Sequence, residues 1–313
     1  MIAPDLSAWG LPTPTQVRAP EHGTNNEVRL VTSGEERFVW RQYENLRVEQ
    51  VRREHALLGW LGRQGLPFAV PEPLTTRAGA TFARHADGRA ISVHRFIPGR
   101  RPTRDDTEIA LTAMAFATLV RVLGAAPTDV AMRDWTSTGL TEIHPGSRDI
   151  EALLGRLDDE GVDSGWLRDV LSSDADVRRR SAHLPRQVVH GDIAMSNALI
   201  EDGVITGLLD FEISGWDCRA SDVATAMLTL GGDPWTERGR SQIALVHEIF
   251  DQTLDLTRDE TWLLPELVLR RLAGSVVWRA GRWSAGSADI GEVAGRVHDG
   301  AAHVASVDAY RPR

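Results

Sequence analysis

The stretch Val188-Val189-His190-Gly191-Asp192-Ile193-Ala194-Met195-Ser196-Asn197, with Leu208-Leu209-Asp210-Phe211-Glu212 a little further on, decides how the rest of the chain is read. Each time an apolar run delivers a carboxylate to the end of a strand-like segment, and the first run adds an amide oxygen at Asn197. Phosphoryl transfer requires this set. One acid orients an acceptor hydroxyl, while the amide oxygen and the other acid hold magnesium on nucleotide phosphates. Four fixed residues in the first segment would arise by chance in roughly one chain of this length in several hundred, so coincidence is the weaker explanation.

At 313 residues and 42% hydrophobic, the chain can bury one large core or two moderate ones. A formal charge of −9 gives no bulk attraction to nucleic acid or to anionic membranes. Cys218 is the single cysteine, which excludes an intrachain disulfide framework and suits a reducing cytosol. Met1-Ile2-Ala3-Pro4-Asp5 lacks the basic region and apolar core of a secretory signal. The apolar stretch 109–123 is short for a membrane span and carries Arg121. A cytoplasmic location without nucleic-acid or membrane partners is the expectation. Ten tryptophans against two tyrosines point to core packing and pocket lining.

Residues 28–31 and 38–41 are strand-like runs around the turn signal Thr32-Ser33-Gly34-Glu35, which predicts a hairpin. Apolar spacing predicts a helix over 46–63, ended by Gly65-Leu66-Pro67. Strand-like 80–84 and 91–96 flank Asp87-Gly88. Ile97-Pro98-Gly99-Arg100-Arg101-Pro102 interrupts both periodicities, so the domain boundary is placed at 97/98. One helix is predicted over 107–123, a mostly irregular loop over 124–148, and two further helices between 149 and 180. Residues 198–200 and 204–209 form a second hairpin around Glu201-Asp202-Gly203, and beyond Ser221 the pattern is helical, interrupted near 231–234 and 286–287.

The two quoted segments resemble the catalytic and metal loops of the aminoglycoside phosphotransferase family, whose relatives include choline kinases and type II homoserine kinases. The resemblance covers most of the chain. It implies an α+β, two-lobed, protein-kinase-like fold: a small antiparallel-sheet N-lobe (1–97) that binds nucleotide, and a larger, mainly helical C-lobe (98–313) with the catalytic loop and acceptor site. It implies a small-molecule kinase using ATP or GTP with Mg2+ on an acceptor hydroxyl. It further implies these residue roles: Asp192 as the catalytic carboxylate, and Asn197 and Asp210 as the metal ligands. Gly23, Thr24, Asn25 and Asn26 form the phosphate-covering turn, Glu54 is the first helix's glutamate, and Phe96 lies at the hinge. His190 and Asp222 support the loop. Trp216-Asp217 with Ser221-Asp222-Val223-Ala224 resembles the helix that follows the metal loop. For Glu212 two roles stand open, a second metal or a backbone contact.

Arg41 departs from the pattern. It stands where kinases place a lysine on the third strand, and its planar guanidinium can bind phosphate through two donors. For the acceptor, residues 267–288 contain no Asp or Glu but carry Arg270, Arg271, Arg279 and Arg282. Arg271, Ser275, Trp278 and Arg282 share one helix face, which suits a neutral or carboxylate-bearing acceptor better than a polycation. Asp129 and Asp134, acids in the long loop, leave room for an amino-sugar, and Asp134 and Trp135 are candidate acceptor contacts. The readings are therefore an antibiotic O-phosphotransferase serving resistance, a metabolic kinase of the homoserine or choline type, and a weakly active nucleotide-binding scaffold.

Overall fold

A computed structural model describes residues 4–20, 26–135 and 137–311. In the first 102 residues an antiparallel five-stranded sheet forms, in the order β1 (Gln16–Arg18), β2 (Glu27–Ser33), β3 (Glu36–Gln42), β5 (Ala90–Arg95), β4 (Ala83–Arg84). The expected hairpin is β2–β3, with Val31 opposite Phe38 and Val28 opposite Arg41. The alternation of β3 sorts its residues. Phe38 and Trp40 join Leu6, Trp9, Val31 and Val93 in an apolar cluster on one face, which sends Arg41 to the other. Helix α1 (Val48–Leu61) buries Val51, Leu57, Leu58 and Leu61, and its inward face also carries Glu54 and His55.

The chain divides into two compact units. The first comprises 1–102 together with 126–132 and 196–214, and the second comprises 103–125, 133–195 and 215–313. Local hydrogen bonds tie the short segments into the first unit: Arg53 donates to the Ala131 carbonyl at 3.1 Å, and the Met132 N–H to the Ser214 carbonyl at 3.3 Å. The hairpin β7 (Ala198–Glu201) and β8 (Val204–Leu208) belongs here as well, turned by Asp202 and Gly203 at φ of 51° and 75°.

Within the second unit, helix α2 (Asp106–Leu123) begins where Asp105 accepts a hydrogen bond from the Glu108 N–H. Helices α3 (Ile150–Asp159) and α4 (Gly165–Ser181) are the two expected, while the loop over 124–148 contains three short 3-10 turns. Strand β6 (Arg186–Val189) pairs antiparallel with β9 (Gly215–Cys218). Trp216 and Asp217 therefore lie on a strand, not on the helix their resemblance implied; that helix, α5, is Ala220–Leu230.

The helical remainder breaks at one further place, between α6 (Glu237–Leu254) and α7 (Arg258–Ser284). Asp255 adopts φ of 51°, and Thr257 and Glu260 form a reciprocal capping box that starts α7. The middle of α7 is buried among α3, α4 and α8 (Ile290–Ala305), with Val276, Val277 and Ala280 against Leu153, Leu157, Leu167 and Val293. Among the described residues no helix is long and apolar enough to cross a membrane.

Two buried histidines make the first unit acid-sensitive. The His94 Nδ1 faces the Pro71 carbonyl at 2.7 Å and its Nε2 faces Ser92, while His55 lies between Tyr43 and Thr81. Burial, then His94 and Arg41, push the His55 imidazole down to about 3, and burial, then Arg41, push His94 down to about 4. Both rings are neutral in the fold but protonate near pH 6.5 in the unfolded chain. Their contribution is complete above pH 6.5 and is lost as pH falls toward 4. We predict that stability from urea unfolding declines over that window by up to about 1.4 kcal/mol per pH unit per ring, and that His94→Gln flattens the slope.

Candidate active site

In the second unit, β6 delivers the chain into His190-Gly191-Asp192, and the start of α5 holds it there. The Asp222 carboxylate accepts from the His190 N–H at 2.8 Å and the Gly191 N–H at 2.9 Å. Asp222 is fully buried, and burial pushes its carboxyl up while His190 and the two N–H donors oppose that rise. The His190 Nδ1 accepts from the Asp192 N–H at 3.1 Å, and its ring packs edge-on against Phe116. Gly191 has φ of 82°, a conformation that favours glycine. The Thr229 hydroxyl donates to the Ile193 carbonyl at 2.6 Å. Nothing in its sequence neighbourhood marks Thr229 as a loop support.

Asp192 is left partly exposed, and its Oδ1 accepts from Arg271 Nη2 at 2.6 Å. The α7 face predicted from spacing is thus brought to the candidate catalytic carboxylate by its first member. Further along that face the Arg282 guanidinium stacks 4.8 Å from the Trp278 ring centre and donates to the Ser287 carbonyl. The two acceptor candidates from the long loop are placed along β9 instead. The Trp135 N–H donates to the Trp216 carbonyl at 2.9 Å, and Asp134 pairs with Arg186 on β6 at 3.3 Å.

In the first unit, the β7–β8 hairpin brings the metal candidates together. The Leu209 N–H donates to the Asn197 carbonyl at 2.8 Å, so Asn197 and Asp210 stand at adjoining strand ends. Asp210 has φ of 65°, a left-handed conformation that aspartate tolerates better than most residues. Among the described residues no three His, Cys, Asp or Glu side chains cluster as a metal cage. One carboxylate and one amide oxygen are a donor set that fits a hard divalent cation completed by phosphates and water, as magnesium prefers. They do not fit zinc, which favours nitrogen and sulfur ligands.

Arg41 is only 12% exposed at its side chain and is surrounded by acids. Its Nη1 pairs with Glu54 at 3.2 Å, its Nη2 lies 4.0 Å from Asp210 and contacts Glu212, and its guanidinium sits 4.6 Å from the Tyr43 ring centre. Burial lowers its pKa and the surrounding anionic groups more than restore it, so the cation is firmly held. Burial pushes the Glu54 carboxyl up, opposed chiefly by Arg41. Asn26 donates through Nδ2 to Glu212, while Phe96 is half-buried under the Arg37 guanidinium at 4.0 Å. Gly23, Thr24 and Asn25 lie outside the described residues.

Residues 16–251 match the phosphotransferase enzyme family, and the chain belongs to that family. A homoserine kinase from Xanthobacter autotrophicus is 27% identical over 232 residues, spanning 71% of this chain and 66% of that protein. Among solved structures, an aminoglycoside phosphotransferase from Alicyclobacillus acidocaldarius superposes with a TM-score of 0.66 at 18% identity, covering 97% of this chain and 92% of that one. The amicoumacin kinase hAmiN, solved with AMP-PNP and Ca2+, gives a TM-score of 0.70 at 13% identity, covering 94% and 91%. Those two likenesses show the shared fold, with its antiparallel-sheet N-terminal part and mainly helical remainder.

Proposed function

We propose that the protein is a small-molecule kinase that transfers the γ-phosphoryl group of a nucleoside triphosphate, ATP or GTP, to the hydroxyl of an acceptor bearing a carboxylate. The observation that carries the acceptor class is the 2.6 Å contact between Arg271 and Asp192. A permanent cation beside the catalytic carboxylate disfavours a polycationic sugar, and a guanidinium has five N–H donors of which one nitrogen serves Asp192. A hydroxy amino acid such as homoserine, the substrate in the name of the related Xanthobacter protein, offers both groups in a small molecule.

In this reading Asp192 accepts a hydrogen bond from the acceptor hydroxyl, turns its lone pair toward phosphorus and takes its proton as the bond forms. Asp222 and His190 keep the loop in place. Asn197 and Asp210 would hold the magnesium, which when bound neutralises charge on the phosphates. Arg41, anchored by Glu54, supplies a phosphate contact in place of the usual lysine. That anchorage supports an active enzyme over a scaffold.

The test is nucleotide consumption with magnesium, using ATP and GTP, across homoserine, its amide, choline, aminoglycosides, and nucleoside and macrolide antibiotics. Carboxylate-bearing alcohols are expected to be the best acceptors. Arg271→Gln is expected to reduce the preference for homoserine over its amide by about tenfold to a hundredfold in kcat/KM, the worth of a charge-assisted hydrogen bond. Turnover of aminoglycosides with none of the carboxylate-bearing alcohols would defeat this acceptor class and favour the antibiotic reading.

A further inference from the structure

Glu212 has no part in the reaction just described, yet it is one of the most tightly held acids in the first unit. It is 7% exposed, and its carboxylate is gripped by Arg41 and by the Asn26 amide. Asn26 is itself fixed, because its Oδ1 accepts from the Glu44 N–H at 3.1 Å. The two donors on Glu212 are both residues expected to meet nucleotide phosphate. A carboxylate and a phosphoryl group compete for such donors on similar terms, since both present paired anionic oxygens.

The partners of Arg41 differ in how readily they can leave. Glu54 is fully buried, and among the described residues no donor reaches its Oε2, so removing Arg41 would strand a buried acid. The Tyr43 ring fixes the guanidinium from one side. Glu212 stands two residues after Asp210 in the loop that follows β8, and Asp210 is itself 38% exposed. Of the two acids in direct contact with Arg41, Glu212 is the one that is not fully buried and lies on a loop, while Asp210, 4.0 Å away, is the metal candidate.

We propose that Glu212 is an internal stand-in for nucleotide phosphate, occupying Arg41 and Asn26 until metal-bound nucleotide displaces it. The proposal rests on the kinase reading of the same site. Metal-free nucleotide must displace Glu212 while Asp210 also repels it. With a cation held by Asn197 and Asp210, the displaced carboxylate has a new counter-charge nearby, and Arg41 turns to phosphate. Binding of nucleotide is thereby made conditional on metal.

The experiment is calorimetric binding of a non-hydrolysable triphosphate analogue to the full chain, with EDTA and with magnesium, for wild type, Glu212→Gln and Glu36→Gln. Glu36→Gln is the charge control, because it removes one negative charge from the same unit at an exposed residue whose carboxylate pairs with Arg95. With EDTA, Glu212→Gln is expected to bind about tenfold tighter than wild type. Glu36→Gln should stay within about twofold. Magnesium should tighten binding less in Glu212→Gln than in wild type. Glu212→Ala provides a second variant should the glutamine not fold. Metal-free affinity of the Glu212 variants no better than that of Glu36→Gln would overturn the proposal while leaving the kinase reading intact. No binding by wild type even with magnesium would defeat the kinase reading and the proposal together.

Discussion

Replacing Asp192 by asparagine is expected to leave metal-nucleotide affinity within about threefold of wild type while lowering kcat about a thousandfold. Asparagine preserves the size of the side chain and can still accept a hydrogen bond from Arg271 through its amide oxygen, so the loop held by Asp222 and His190 keeps its shape. What is lost, in the proposed reading, is the anionic oxygen that accepts the acceptor's proton and orients its lone pair. In the proposed reading, binding depends instead on Arg41, Asn197 and Asp210, which belong to the other compact unit. Equilibrium binding and single-turnover transfer, measured on one preparation, separate the two effects. Wild-type kcat in this variant would remove Asp192 from the mechanism.

Replacing Asp210 by alanine is expected to act at the other step, weakening magnesium-nucleotide binding about a hundredfold or more. The donor set has one carboxylate besides the Asn197 amide, so no second acid of the pair compensates for it. Alanine is also poorly suited to φ of 65°, so Asp210→Asn, which tolerates that conformation, is the control for backbone effects. The asparagine variant should lose metal-dependent binding while keeping wild-type stability. Magnesium titration of nucleotide binding reads both variants, and an unchanged magnesium dependence would sink the metal assignment.

Much of this was legible in the chain because it is local. Asp202-Gly203 is a turn signal, and the hairpin it closes places Asn197 beside Asp210. The apolar spacing over 107–123 matches α2, which begins one residue earlier at Asp106. Arg41 was legible as the end of a strand-like run, and the alternation of β3 then turns it to the face opposite Phe38 and Trp40. The contradicted reading was also local. Gly215–Cys218 is four residues long, too short for a periodicity to declare itself, and the helical pattern after it hid the strand. The break before α7 carried a readable Thr257-x-x-Glu260 signal, overshadowed by apolar residues on both sides.

What the chain order could not show is which distant residues meet. The α7 spacing put Arg271, Ser275, Trp278 and Arg282 on one face, but only the fold brings Arg271 to an acid 79 residues away. Asn26 and Glu212 are 186 residues apart, and neither has a neighbour that hints at the other. Asp134 drew notice as an acid in a long loop, whereas its partner is Arg186 on the strand beneath that loop. Side-chain pairing of this kind depends on sheet register and helix rotation, which short-range patterns do not encode.

The central claim is that a phosphoryl group passes to an acceptor hydroxyl held by Asp192, and phosphorus NMR of the complete reaction tests it most directly. With wild-type protein, magnesium, a nucleoside triphosphate and homoserine, the account predicts a new phosphomonoester resonance coupled to the acceptor's methylene protons, growing as the γ-phosphorus signal declines, with neither change in Asp192→Asn. Release of inorganic phosphate alone with every acceptor, or ester formation at equal rates in the two proteins, would contradict it.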